Sequence, residues 1–274
     1  RDLHLSIRRQ RQMCIRDRTY VDLAERLAEA SGKIVRRHFR SLSGVGEKQD
    51  STPVTIADKE AEIVMREMIQ VEYPDHGIVG EEGGNTLQNN EFVWVLDPID
   101  GTKNYASGSY QFGTLISLLK EGTCILGIID QPVLKERWLG VRGEPTTFNG
   151  DPVQVRTCDE LTQAWMYSSS PDMFRLDNKK KFARLASLVK YSLFGTDCIG
   201  YGLVASGFTD IICEAQMRLW DYTAHIPIIE GAGGVISDWM GNPLTPNSRG
   251  TVLACGDMRV HEAALEALSE PANS

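Results

Sequence analysis

The stretch Trp94-Val95-Leu96-Asp97-Pro98-Ile99-Asp100-Gly101-Thr102 carries an apolar run into two carboxylates three residues apart, followed at once by Gly-Thr. Phe92 to Leu96 is a short apolar run closed by a Pro/Gly signal, which predicts a buried strand. Pro98 fixes φ and has no N–H to give a ladder, so the chain is expected to turn there. That turn would set Asp97 and Asp100 side by side at a strand end, where open α/β sheets place their sites. Hard oxygen donors so grouped suit Mg2+, which binds a few carboxylates and keeps positions for water and phosphate. Gly101 and Thr102 offer backbone N–H groups at the predicted start of a helix, a seat for a phosphate. The same residue types also build surface turns. The Trp-Val-Leu lead-in and the Gly-Thr-Lys-Asn-Tyr that follows favour a site. An EF-hand is excluded, because its D-x-D-x-D-G spacing and later Glu are missing.

At 274 residues the chain is long enough to bury a sizeable core, as one large domain or two small ones. Hydrophobic residues make up 42% and charged residues 24%, which argues against disorder. A net charge of −8 argues against a broad nucleic-acid surface. No apolar run approaches the length of a membrane span. The six cysteines (Cys14, Cys124, Cys158, Cys198, Cys213, Cys255) form no C-x-x-C pair, and several sit in apolar runs, as expected of reduced thiols in a cytosolic protein. The five histidines are isolated and no H-E-x-x-H occurs, which argues against zinc. Residues 1–18 stand apart, with six arginines and no apolar core of a signal peptide. They read as an atypical arginine-rich leader, an expression scar or a mis-assigned start, which leaves 19–274 as a single catalytic domain with room for two lobes.

Helical spacing of Leu23, Leu27, Ala30, Ile34 and Val35 predicts a helix from about Thr19 to Phe39. A second is expected from Ile56 to Glu72, with Ala61, Val64, Met65 and Met68 on one face, and a strand at Gly77-Ile78-Val79. Phe112–Leu119, Cys124–Ile129 and Arg137–Val141 read as an antiparallel meander. Helices are expected over 177–189 and 199–206, and one buried helix over 222–230 closed by Gly231-Ala232-Gly233-Gly234. Strands follow at 209–213, 235–239 and 251–254, then a helix from about His261. Ser168-Ser169-Ser170-Pro171-Asp172 reads as a turn.

Two further acids stand out. Glu81 lies between glycines after the Gly77 strand, and Asp221 follows Trp220 at a helix start. Each taken alone reads as well as a solvated loop acid or a helix N-cap. Together with the Asp-Pro-Ile-Asp-Gly-Thr stretch, Gly80-Glu81-Glu82, Trp220-Asp221 and Pro53-Val54-Thr55-x-x-Asp58, they make the chain from about residue 19 onward resemble the inositol monophosphatase superfamily of Mg2+-dependent phosphatases. The resemblance implies an α+β fold, a layered αβαβα sandwich, working as a homodimer on a small-molecule phosphate ester. It implies that Glu81, Asp97 and the Ile99 carbonyl hold one Mg2+, and that Asp97, Asp100 and Asp221 hold a second. A weaker third ion would use Glu81 and the Lys48–Pro53 loop. Asp58 and Thr102, with Glu81, would be the catalytic set that polarises the attacking water, and the Gly101 and Thr102 amides would receive the phosphate.

Outside those motifs, Phe112-Gly113-Thr114-Leu115-Ile116, Leu126 to Pro132, Glu136-Arg137-Trp138, Ser170 to Phe174, Gly195-x-Asp197-Cys198 and Ile226 to Gly234 are similar to the histidinol-phosphate phosphatases of this superfamily. Met217-Arg218-Leu219-Trp220 departs from that subgroup, where a Lys-Pro-Tyr or Lys-Pro-Phe run is expected, and is closer to the inositol phosphatases. Histidinol phosphate carries an ammonium and an imidazole, and acids set away from the metals would bind them through charge-assisted hydrogen bonds. Asp197 and Glu214 match the substrate-side positions of the resemblance. Inositol monophosphatase, a broad sugar or nucleotide phosphatase and a catalytically silent metal-binding regulator are the competing expectations.

Overall fold

The computed structural model describes residues 2–41, 45–47, 53–87 and 90–269. Their helices and strands stack in five layers. The first holds the long helix Asp2–His38 and the helix Ile56–Glu72. Leu23, Leu27, Met65 and Ile69 of this pair pack on Trp94, Leu96, Leu118 and Ile128 of the first sheet. That sheet has eight strands, in the order Asp151–Pro152, Thr147–Phe148, Glu136–Val141, Thr123–Gln131, Gly113–Lys120, Phe92–Asp100, Gly77–Gly80 and Gly84–Thr86. Only the Gly77–Gly80 pairing with Phe92–Asp100 is parallel; the meander is antiparallel throughout, as its Gly and Pro punctuation predicts. Between the sheets lie the helices Ile199–Ala205 and His225–Gly231, with Tyr201, Val204, Ile228 and Ile229 against Leu115, Ile129 and Trp138.

The second sheet has five strands in the order Tyr191–Phe194, Trp165–Ser168, Ile211–Glu214, Val252–Cys255 and Val235–Ser237. Its residues alternate between faces with the period of a strand. Ile212, Val252 and Ala254 face the middle layer, while Ile211, Cys213, Leu253 and Cys255 face the outer helices Asp177–Leu188 and Met258–Ser269. The architecture is the expected α+β layered sandwich.

Four readings of the sequence differ from the structure. The first helix begins at Asp2 rather than Thr19, through a stretch rich in arginine and carrying leucine and glutamine, all good helix formers. The Asp-Pro stretch is a bulge rather than a turn. Asp97 pairs with Leu115 and Asp100 with Gly113, so Pro98 and Ile99 oppose Thr114 alone. Thr114 replaces the missing ladder bond by donating its hydroxyl to the Pro98 carbonyl at 2.7 Å. The helix expected over 222–230 is broken into Leu219–Tyr222 and His225–Gly231. Pro227 lacks the N–H that a continuous helix would give to Thr223. The Thr223 carbonyl accepts instead from the Ile226 N–H at 3.3 Å and the Cys124 thiol at 3.1 Å. The strands Trp165–Ser168 and Tyr191–Phe194 were not expected at all, being short, half-polar and without a clean alternation.

The broken helix sits directly on sheet backbone. Gly127 and Gly140 are cross-strand partners. A Cβ on Gly127 would lie 2.0 Å from the Ala224 carbonyl oxygen, and one on Gly140 would lie 2.4 Å from the Ile228 nitrogen. These are contacts with backbone, which no change of rotamer relieves. Gly127→Ala or Gly140→Ala is expected to cost about 1–3 kcal/mol. The change should lower the urea midpoint at unchanged m-value; a midpoint equal to wild type would show that the helix is free to shift.

Candidate active site

The bulge decides where the first two carboxylates point. Residues three apart on a regular strand face opposite sides of the sheet; the extra residue between Asp97 and Asp100 turns both to one side. Asp221 comes from the short helix Leu219–Tyr222, where it is the third helical residue and not the N-cap. Carboxylate oxygens of Asp97, Asp100 and Asp221 lie within 4.8 Å of one another. Each acid is anchored by a backbone amide: Asp97 Oδ1 accepts from Ile99 at 3.1 Å, Asp100 Oδ2 from Cys198 at 2.7 Å and Asp221 Oδ2 from Arg218 at 2.6 Å. Hard, closely spaced donors of this kind can hold a divalent cation.

Glu81 lies just past the Gly77–Gly80 strand on the same cleft, and its charge raises the pKa of both Asp97 and Asp221. Asp58, buried in the first turn of Ile56–Glu72, acts on Asp97 in the same direction. Burial is the larger cause, so the cluster holds its protons far more tightly than ordinary carboxyls. Asp97 and Asp100 are pushed well up, and Asp221 rises to about 7. Gly101, at φ 84°, starts the short helix Thr102–Ser107. A Cβ there would lie 2.8 Å from the Gln111 carbonyl and 2.9 Å from Asp197 Oδ2, so only glycine fits. The Thr102 hydroxyl donates to the Ile99 carbonyl at 3.0 Å.

The cleft, about 660 Å³, is lined by Glu81, Asp97, Asp100 and Asp221 and by a further acidic pair, Asp197 and Glu214. Asp197 takes a left-handed backbone at φ 42° and accepts from the Asn104 amide. Burial raises its pKa, and that of Glu214 rises to about 7, mainly through burial and partly through the charge of Asp197. A larger groove of about 790 Å³ passes Arg36, Asp130 and Arg137, but there Arg137 Nε pairs with Asp130 Oδ1 at 2.7 Å and no acidic cluster forms.

The structure therefore gathers Glu81, Asp97, Ile99, Asp100, Gly101, Thr102, Asp197, Glu214 and Asp221 around one cleft, with Asp58 buried behind it. Most of the Lys48–Pro53 loop lies outside the described residues. Sequence reading missed Glu62. Its buried carboxylate accepts from the Glu82 and Gly83 amides at 2.8 and 2.7 Å and from Arg66 Nε at 2.7 Å, which fixes the turn carrying Glu81. Gly80 and Gly83 leave the room it needs, since a Cβ on either would meet its Oε1 within 2.7 Å. It also missed Ser169, read as part of a turn, whose amide donates to Glu214 at 2.9 Å. The signal available for Glu62 was its spacing of four from both Asp58 and Arg66; Ser169 left none.

Known proteins share this arrangement of chain. The model of the inositol monophosphatase family matches residues 17–272. The chain is 44% identical over 251 residues to the bifunctional phosphatase IMPL2, chloroplastic, of Arabidopsis thaliana, covering 88% of this chain and 72% of that protein. It is 37% identical over 248 residues to a histidinol-phosphatase of Chlorobaculum parvum, covering 85% and 91%. A solved inositol monophosphatase from Zymomonas mobilis superimposes with a TM-score of 0.86 at 40% identity, covering 92% of this chain and 98% of that one. The chain belongs to the inositol monophosphatase family.

Proposed function

We propose that this family phosphatase is a Mg2+-dependent histidinol-phosphatase, releasing phosphate from L-histidinol phosphate by direct in-line attack of water. The observation that carries the substrate choice is the second acidic pair. Asp197 and Glu214 line the same cleft, Asp197 beside Gly101 and both close enough to act on Asp100, so a substrate's cationic end would meet them while its phosphate meets the metal site. The relative from Chlorobaculum parvum named histidinol-phosphatase supports the same reading. Inositol phosphate is the second reading, favoured by the 40% identity to the Zymomonas mobilis protein. The homodimer and the cytosolic setting are part of the proposal. Among the described residues no helix is long and apolar enough to cross a membrane, and Cys124, Cys158, Cys198, Cys213 and Cys255 are buried free thiols.

The donor set fits Mg2+: all-oxygen, anionic and preformed. Glu81, Asp97 and the Ile99 carbonyl would hold one ion, and Asp97, Asp100 and Asp221 a second. Bound Mg2+ lowers the pKa of water and offsets charge on the phosphoryl oxygens. Asp58 and Thr102 orient the attacking water, and the Gly101 and Thr102 amides receive the phosphate. Phosphoryl transfer of this kind needs positioning and charge neutralisation rather than a nucleophilic side chain. Retention of Asp58, Glu81, Asp97, Asp100, Thr102 and Asp221 together speaks against a catalytically silent regulator.

Phosphate release from histidinol phosphate and inositol-1-phosphate, with Mg2+ and with EDTA, is expected to favour histidinol phosphate and to stop in EDTA. Asp97→Asn should abolish turnover, and Glu214→Gln should raise KM for histidinol phosphate far more than for the neutral ester. Equal losses on both esters would remove Glu214 from recognition, and preference for the neutral ester would overturn the substrate.

Metal and pH are linked. The folded carboxyls keep protons that the unfolded chain releases, so without metal their stabilising effect is full below about pH 4 and fades as pH rises to about 7. For Glu214 the loss is on the order of 3 kcal/mol. The melting temperature in EDTA should fall across that window, and Mg2+ should restore it more at pH 8 than at pH 5. An equal gain at both would detach the cation from these acids. Glu62→Gln should raise the Mg2+ concentration for half-maximal rate about tenfold, by loosening the Glu82 and Gly83 amides that set the turn carrying Glu81; an unshifted value would show that the Glu81 turn holds itself.

A further inference from the structure

Glu214 has a countable set of hydrogen-bond sites. A carboxylate offers about four lone-pair positions on its two oxygens. Oε1 accepts from the Ser169 amide at 2.9 Å and from the Ser169 hydroxyl. Oε2 accepts from the Tyr201 hydroxyl at 2.8 Å. One position, on Oε2, is left for a substrate N–H donor, and the Tyr201 hydroxyl decides its direction. Tyr201 is fully buried on the helix Ile199–Ala205, and its ring lies flat on His225, centroids 3.7 Å apart and planes 9° apart. His225 is the first residue of the next helix, His225–Gly231, and is itself fully buried. Its ring is within hydrogen-bond reach of the Asp221 backbone one turn earlier, which leaves its flat face to Tyr201.

We propose that His225 is a specificity-determining positioning residue: its stack on Tyr201 aims the Tyr201 hydroxyl at Glu214 and so presents the remaining Glu214 lone pair to a cationic amine of the substrate. The inference rests on the reading of Asp197 and Glu214 as the cationic-end site. A phenyl ring does not replace the imidazole, since benzene rings prefer offset or edge-to-face contact and a six-membered ring is wider. An aliphatic side chain has no flat face to register the phenol. Both would leave Tyr201 free to rock and its hydroxyl free to leave Oε2.

The test compares kcat/KM for histidinol phosphate with kcat/KM for inositol-1-phosphate in the Mg2+-loaded protein, for wild type, His225→Leu, His225→Phe, Tyr201→Phe and the doubles. The ratio should fall about tenfold in each His225 variant, through KM for histidinol phosphate and with its kcat within about twofold. Tyr201→Phe should lower the ratio as much, and each double variant no further than Tyr201→Phe alone, because both residues act through one hydrogen bond. A loss spread over kcat for both esters, or additive losses in the doubles, would reduce His225 to packing and overturn the proposal. An undiminished ratio in Tyr201→Phe would overturn it even if neither His225 variant folds. A wild type without preference for the aminated ester would overturn both this inference and the substrate reading, whereas preference kept in folded His225 variants would overturn this inference alone.

Discussion

Everything around the cleft answers to one constraint: carboxylates from separate parts of the chain are held where they repel each other. Two unit charges 4 Å apart repel by about 4 kcal/mol at an effective dielectric of 20, and burial adds a desolvation cost to each. Asp97, Asp100 and Asp221 sit within 4.8 Å nonetheless. Among the described residues no cationic side chain is hydrogen-bonded to these three. Each is tied to a backbone amide, from Ile99, Cys198 and Arg218. Amides fix the direction of a carboxylate while leaving its charge uncancelled. An arginine in the same place would have fixed it too, and competed with the cation.

The same constraint explains rigid features at some distance. The Gly127 and Gly140 pair lets the helix His225–Gly231 settle on bare sheet backbone, and that helix follows the one carrying Asp221. Ser117 and Thr223 join the sheet to the break between the two helices with a buried hydroxyl pair at 2.7 Å. On the other side Glu62 and Arg66 hold the Glu81 turn from beneath. Repulsion among the acids therefore works against close-packed backbone on both sides of the cleft, where a small displacement costs packing as well as hydrogen bonds.

How far this was legible in the sequence follows from the range of each signal. The meander and the helix Ile56–Glu72 were legible because their periodicities and Gly/Pro punctuation are local. Asp97 and Asp100 were legible because they sit at a break in an apolar pattern; Glu81 and Asp221, each ambiguous alone, were legible only through their occurrence together in the family's motifs, and the structure brings all four to one cleft. The bulge was misread as a turn, since Pro98 announces only that the ladder is interrupted; whether the strand resumes depends on Thr114 across the sheet. The strands Trp165–Ser168 and Tyr191–Phe194 are short, and their pairing is set by tertiary neighbours rather than by their own pattern. Ser169, Tyr201 and His225 left no signal, because a stack and a lone-pair count exist only in three dimensions.

The two acidic groups of the cleft solve opposite problems with the same residue types. Asp97, Asp100 and Asp221 are tied to backbone amides, which leave their charge available to an ion. In the other group, Glu214 is bonded three times, by Ser169 and Tyr201, so that its remaining capacity points one way. The first arrangement gives strength that any phosphate ester can use. The second gives direction, which only a substrate with a donor at the right distance can use. On the proposed reading, catalytic power and substrate choice vary separately in one fold: the bulge and its amides fix the metal site, whereas a single ring at position 225 bears on substrate choice.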